Sequence, residues 1–192
     1  MVNSLVNSTS TFLMEVEPGV WKTFRSRDRF VELYDVKFTA IIQCDDAACD
    51  EENQFFQPGQ RENQTSLYKS RFVFDLDGNS FSGRYYSLLS SRSLVLKQTI
   101  FQEWHDDRLF PWVHYVPISM SMEELPEVVR YLALSKAGGA LAKQIADEGR
   151  QWRQRALRRE DFGIYWFRLI LEYARLMDRR RPAGEYYPVE YT

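Results

Sequence analysis

The fold class that this sequence predicts is α/β, and three observations predict it. Short β-branched and aromatic runs recur at 36–42, 72–74, 93–97 and 112–118. Apolar residues at helical spacing fill much of the remainder. One stretch, RFVFDLDGNSFSGRYYSLLSSRSLVLK from Arg71 to Lys97, reads by itself as a strand, loop, helix, strand unit. In a layer of this kind ligands sit outside the carboxyl ends of the strands, so the loops after Phe74, Lys97 and Val116 are expected to share one edge.

Composition bounds the function. The chain has 192 residues, 44% hydrophobic and 15% aromatic, enough for one domain with a sizeable core. A formal net charge of -2 gives no global reason to expect nucleic acid or an anionic membrane as a partner. No apolar run reaches a membrane-spanning length, and no basic leader followed by an apolar core marks a targeting signal. Cys44 and Cys49 suit either a local disulfide or two reduced thiols, and make a poor metal site. Asn7 and Asn63 head glycosylation sequons, which matter only in a secretory compartment.

In chain order, residues 1–20 show little periodicity, and Trp21 to Leu33 is expected as a short helix or connecting segment. VKFTAII, Val36 to Ile42, is expected as a buried strand, followed by an acidic, solvated stretch at 45–52 and a polar loop at 57–66. WVHYVPI, Trp112 to Ile118, is expected as a short strand stopped by Pro117. Ser121 and Glu124 read as a capping box for a helix carrying Leu125, Val128, Val129 and Leu132, with Pro126 able to shift its start. Gly138 and Gly139 are expected at the next join. Two long amphipathic helices follow, one through Leu141, Ile145, Gly149, Trp152 and Ala156, the other through Phe162, Tyr165, Trp166, Leu169, Ile170, Tyr173 and Leu176. Their aromatic stripes are expected to be core.

The loop DGNSFSG carries the chemistry. Ser80, Ser82 and Gly83 are small, so backbone amides at the helix start can approach an anion closely, with Arg84 beside them. A phosphate or pyrophosphate cradle is one reading, and a serine-capped polar turn with a solvated Arg84 is the other. The string FVFDLDGN admits two competitors. An apolar strand ending in DxDG also opens haloacid-dehalogenase-type phosphatases, in which Asp75 would be the nucleophile and Asp77 the acid and base, with magnesium, Lys97 and the Asp106–Asp107 pair completing the site. Asn79 stands where those enzymes carry threonine. Asp75-Leu76-Asp77 also matches a DxD metal clamp, and Asp77 before Gly78 equally serves a turn.

A wider match decides among these. FDLDGNSFSGRYYSLLSSRSLVLKQ, then Glu103-Trp104, then PWVHYVPI, EELPEVVRYL and IADEGRQW, in that order and spacing, resemble the carboxyl-terminal part of glycosyltransferase family 90, the capsule-associated and Rumi-like KDEL-motif sugar transferases, in its fungal branch. The resemblance runs from about Asp35 to Met177. It implies the Rossmann-like carboxyl-terminal donor lobe of a two-lobed GT-B transferase, lacking most of the amino-terminal lobe. Residues 1–34 would be a remnant or connecting segment, 35–178 the nucleotide-sugar-binding lobe with its closing helices, and 179–192 a charged, tyrosine-rich tail.

The same resemblance implies a UDP-sugar donor, a glycan or glycoprotein acceptor, transfer with inversion, no cofactor or essential metal, and an endoplasmic reticulum or Golgi lumen. Arg84 would face the donor diphosphate, with Ser80, Ser82 and Gly83 lining the loop. Glu103 would contact a ribose hydroxyl, and His114 would lie where base or ribose packs, with Asp77, Asn79 and Lys97 as further candidates. The base that deprotonates the acceptor would belong to the other lobe, so no residue here inherits it. The alternative function is a noncatalytic sugar-nucleotide-binding or partner-binding remnant.

Overall fold

The computed structural model describes residues 11–17, 20–25, 33, 34, 36 and 38–178. Two strands, β1 (Thr11–Glu17) and β2 (Val20–Arg25), form an antiparallel hairpin with a register shift between Glu15 and Glu17. This corrects the expectation of a helix or connector from Trp21: the alternation in VWKTFR wins over a thin helical face. Residues 26–32 of that segment, and the tail 179–192, lie outside the described residues.

The expected strand Val36–Ile42 is also corrected. None of its described residues is in a strand, and Val36, Phe38 and Ile42 are 66%, 52% and 73% exposed. An apolar run makes a strand only where a sheet edge receives it, and this one receives none. Helix α1 (Asp46–Phe56) follows, capped by Asp45, whose side chain accepts from the Ala48 amide at 2.9 Å. It buries no residue, as the acidic composition predicts. Cys44 and Cys49 are joined as a disulfide with Cα atoms 5.4 Å apart, which ties the helix start to its first turn.

The central unit is as read from the sequence. Strand β3 (Phe72–Leu76), helix α2 (Tyr85–Leu89) and strand β4 (Leu94–Gln98) make a βαβ unit, and β5 (Val116–Pro117) completes a parallel sheet in the order β3-β4-β5. Every residue of β4 is buried, as befits the middle strand of a sheet covered on both faces. Of the expected 112–118 strand, only Val116 and Pro117 lie in the sheet, with Tyr115 in an isolated bridge to Pro111. Trp112 takes a left-handed conformation (φ 63°) and its amide donates to the Tyr115 carbonyl at 2.7 Å, so the chain turns before it pairs. The strand ends at Pro117, as expected, although Pro117 is itself paired with Lys97 and Ile118 donates to the Lys97 carbonyl beyond it.

The period of two sorts side chains between two cores. Leu94 and Leu96 of β4 join Val116 and Ile118 against α3 (Leu125–Leu134) and α4 (Lys136–Ala156), through Leu125, Val129, Leu132, Ala142 and Ile145. Val73 and Val95 face the other way, against Tyr85, Leu88 and Leu89 of α2 with Leu109 and Leu157. The architecture is therefore Rossmann-like α/β, with helices on both faces of a parallel sheet.

Helix ends explain the remaining differences. The Ser121–Glu124 pair is not a capping box; Pro126 sets the start of α3 at Leu125, and Glu124 instead takes the Ser119 amide and hydroxyl, at 2.5 and 2.6 Å. The α3–α4 join is Ser135, whose hydroxyl oxygen caps the Gly138 amide at 2.8 Å. Gly138 sits inside the first turn of α4, where a Cβ would collide with the Tyr131 carbonyl. The last helix, α5 (Arg159–Met177), buries none of its residues. The expectation that its aromatic stripe is core is corrected: Trp166 is 53% and Phe167 64% exposed, because apolar residues surround α5 while no element of the described chain covers it.

Candidate functional site

The site grows from the register of β3 and β4. Asp75 pairs with Lys97 across the parallel ladder, one step beyond Val73 and Val95 on the face turned toward α2. Side chains that continue an apolar stripe into charge must find partners, and these do. Lys97 Nζ lies 3.2 Å from Asp75 Oδ2 and 3.9 Å above the ring of Tyr85. The Ser82 hydroxyl donates to Asp75 Oδ1. Asp75 is wholly buried and Lys97 is 5% exposed. Both carboxylate oxygens are thus occupied, and the loop 77–83 is anchored at Ser82 to the end of β3.

Glu103 and His105 close the other side. Glu103 Oε1 lies 3.9 Å from Lys97 Nζ and 3.9 Å from His105 Nε2, too far for a direct hydrogen bond to either. Burial, opposed by Lys97 and reinforced by Asp106, Asp75 and Asp77, raises the Glu103 carboxyl above its usual range. His105 is held by a directed relay. The Trp104 indole donates to the Tyr86 hydroxyl at 2.7 Å, and an indole N–H can only donate. The Tyr86 proton is therefore free to go to His105 Nδ1, 2.8 Å away, leaving the proton of neutral His105 on Nε2. Burial keeps this imidazole neutral, lowering its pKa to about 4 despite the attraction of Asp106. The Tyr85 hydroxyl is enclosed without a partner, and burial drives its pKa far upward.

The loop that carries the other predicted residues is open. Ser80, Gly83 and Arg84 are exposed, and no hydrogen bond or ion pair engages the Arg84 guanidinium among the described residues. A Cβ at Gly83 would meet nothing within 4 Å, so packing within the protein does not require glycine there. Asn79 is exposed as well. Asp77 serves a turn through one oxygen, accepting from the Ile100 amide at 2.8 Å, while its Oδ1 is enclosed and unpartnered. This ties the loop after β3 to the loop after β4.

The structure therefore gathers Asp77, Ser82, Lys97 and Glu103 around Asp75 at the carboxyl edge of the sheet. His114 is not linked to them by a hydrogen bond or ion pair. It accepts the Phe110 amide on Nδ1 at 2.9 Å and stacks on Trp152 of α4 at 5.3 Å, and burial lowers its pKa. The phosphatase reading is set aside on geometry, because a nucleophilic Asp75 must be reachable and this one has no exposure and no free oxygen. Sequence reasoning passed over Tyr85, Tyr86 and His105. Their signal was Tyr-Tyr directly after Arg84, together with the histidine that follows Glu103-Trp104.

The family model described as glycosyl transferase family 90 matches residues 21–185. O-glucosyltransferase rumi of Drosophila pseudoobscura pseudoobscura is 34% identical over 114 residues, 57% of this chain and 27% of that protein. Human protein O-glucosyltransferase 1 is 30% identical over 112 residues, again 57% of this chain and 27% of that protein. Rat protein O-glucosyltransferase 3 is 33% identical over 109 residues, 56% of this chain and 21% of that protein. The matched stretch spans less than a third of each of these relatives.

Proposed function

The chain belongs to glycosyltransferase family 90, and from that membership we propose that it is the donor-binding, Rossmann-like lobe of a UDP-sugar glycosyltransferase of GT-B architecture, extending over residues 35–178. The relatives it resembles are named as O-glucosyltransferases, which favours a hexosyl or pentosyl donor and a glycan or protein hydroxyl as acceptor. The observation that carries the reading is the anchored loop at the sheet edge: Ser82 is fixed to the buried Asp75–Lys97 pair, and two residues later Arg84 stands exposed with no internal partner.

Each residue then has a task in a displacement with inversion. The diphosphate leaving group gains negative charge as the anomeric bond breaks, and a guanidinium already in place stabilises that charge most in the transition state. Arg84 supplies it, with Ser80, Ser82 and Gly83 lining the approach. Glu103 Oε1, without a donor among the described residues, accepts from a ribose hydroxyl. Asp75, Lys97 and Tyr85 hold the loop and are positioning residues. The acceptor base lies outside this chain. The disulfide Cys44–Cys49 favours an oxidising lumen such as the endoplasmic reticulum or Golgi.

A calorimetric titration of the chain with UDP, with magnesium and again with a chelator, tests the reading. Metal-independent binding that Arg84→Ala weakens supports it. A folded chain that takes up no UDP removes independent donor binding and favours a noncatalytic remnant.

A further inference from the structure

On the flank of α2 lies an open cavity of about 720 Å³, whose lining includes Tyr68, Gly83, Tyr86, Arg92, Arg150 and Arg153. Three guanidinium groups line it, and no aspartate or glutamate does. Arg84 is not among its walls. Arg150 and Arg153 stand three residues apart on α4 and so occupy the same face of that helix. The carboxylate near Arg150, Asp147, approaches no closer than 3.9 Å. Arg150 Nε and Arg153 Nε are both enclosed and have no acceptor among the described residues.

An enclosed N–H without an acceptor is costly, and three arginines lining one cavity, with one carboxylate 3.9 Å from one of them, carry an excess of positive charge. The serines cannot be the intended acceptors' donors: Ser87, Ser90 and Ser91 already give their hydroxyl protons to the carbonyls of Arg84, Tyr86 and Leu88, at 2.6, 2.7 and 2.6 Å. Three arginines therefore dominate the charge of this cavity, which suits a tetrahedral oxyanion with several acceptor oxygens. The space is several times larger than a phosphate ion and has the Tyr68 ring in its wall, leaving room for an organic remainder.

We infer that this cavity is a second anion site, centred on Arg92, Arg150 and Arg153 and not on Arg84, that takes a small organic phosphate. Gly83 lines both this cavity and the loop assigned to the diphosphate, whereas Arg84 lines only the latter, so the Arg84→Ala arm separates the two readings.

The test is calorimetric titration of the chain with glycerol phosphate, with inorganic phosphate as the second arm, at constant ionic strength. Arg150→Ala with Arg153→Ala, and separately the exposed Arg92→Ala, are compared with Arg84→Ala, each shown to be folded by circular dichroism. Saturable binding weakened at least tenfold by the first two variants and less than twofold by Arg84→Ala is the expected result. Tighter binding of glycerol phosphate than of phosphate assigns the site to an organic phosphate. Equal or tighter binding of the free ion overturns the organic class. Absence of saturable binding, or binding that only Arg84→Ala removes, overturns the site itself.

Discussion

Asp75 and Lys97 are register partners across β3 and β4, and their side chains form a salt bridge of 3.2 Å with almost no access to solvent. A charge pair in such a place stabilises little over an apolar pair, but either member left alone is expensive. Asp75→Asn is therefore expected to destabilise the chain by about 3–5 kcal/mol, and Lys97→Met by a comparable amount. The double variant should cost less than the sum of the two. Urea unfolding followed by circular dichroism checks this, and strict additivity would mean that the two groups do not depend on each other.

Loss of the Arg84 guanidinium should act on chemistry, not on folding. By analogy with removal of one preorganised donor, Arg84→Ala is expected to cost about 3 kcal/mol of barrier, on the order of a hundredfold in rate. Its unfolding midpoint should be unchanged, since the side chain is exposed and no hydrogen bond or ion pair engages it among the described residues. Transfer assays with a catalytically competent protein that contains this chain measure the first, and a loss below about threefold would remove Arg84 from the diphosphate.

His105 gives the fold a pH dependence of definite sign. Its folded pKa of about 4 lies below the ordinary value of 6.5, so the unfolded chain binds more protons between those values. Stability is full above about pH 6.5 and falls as pH drops toward 4. The facing groups are Glu103, Asp106 and Lys97, and the raised Glu103 carboxyl acts in the opposite sense at the lower end of the window. His105→Gln should flatten the decline between pH 6.5 and 5 in urea midpoints. An unchanged slope would place the titrating group elsewhere.

Two glycines on helices should respond in opposite directions. A Cβ at Gly149 would collide with the His114 carbonyl, where α4 passes the turn before β5. Gly149→Ala is expected to lower stability by more than about 2 kcal/mol, because backbone must move. At exposed Gly163 nothing lies within 4 Å, and Gly163→Ala should add up to about 1 kcal/mol from helix propensity. Thermal unfolding of the two variants reads both.

The βαβ unit and the helix α4 were legible in the sequence because their signals are local. FVF, YYSLL and LVLKQ each carry one period, and turn residues separate them. Ser82, Lys97 and Glu103 could be flagged as polar residues on the right edge, but their meeting at Asp75 depends on strand register, which no single segment encodes. Val36–Ile42 and α5 misled for one reason: apolar content states that a segment wants a partner, and says nothing about whether this chain provides one. Arg150 and Arg153 look like ordinary solvated helix residues until the flank of α2 is set against them.

Helix α5 touches the rest of the molecule where Trp104 meets Phe162 and Tyr165, while Ile164, Phe167, Ile170 and Leu171 face water. Such a surface sets a colloidal limit on the chain by itself. Concentration becomes an experimental variable alongside pH and salt, and binding isotherms recorded at high protein loading would report self-association as well as ligand. Light scattering across a dilution series belongs before any titration, and a mild detergent should raise the concentration at which scattering begins.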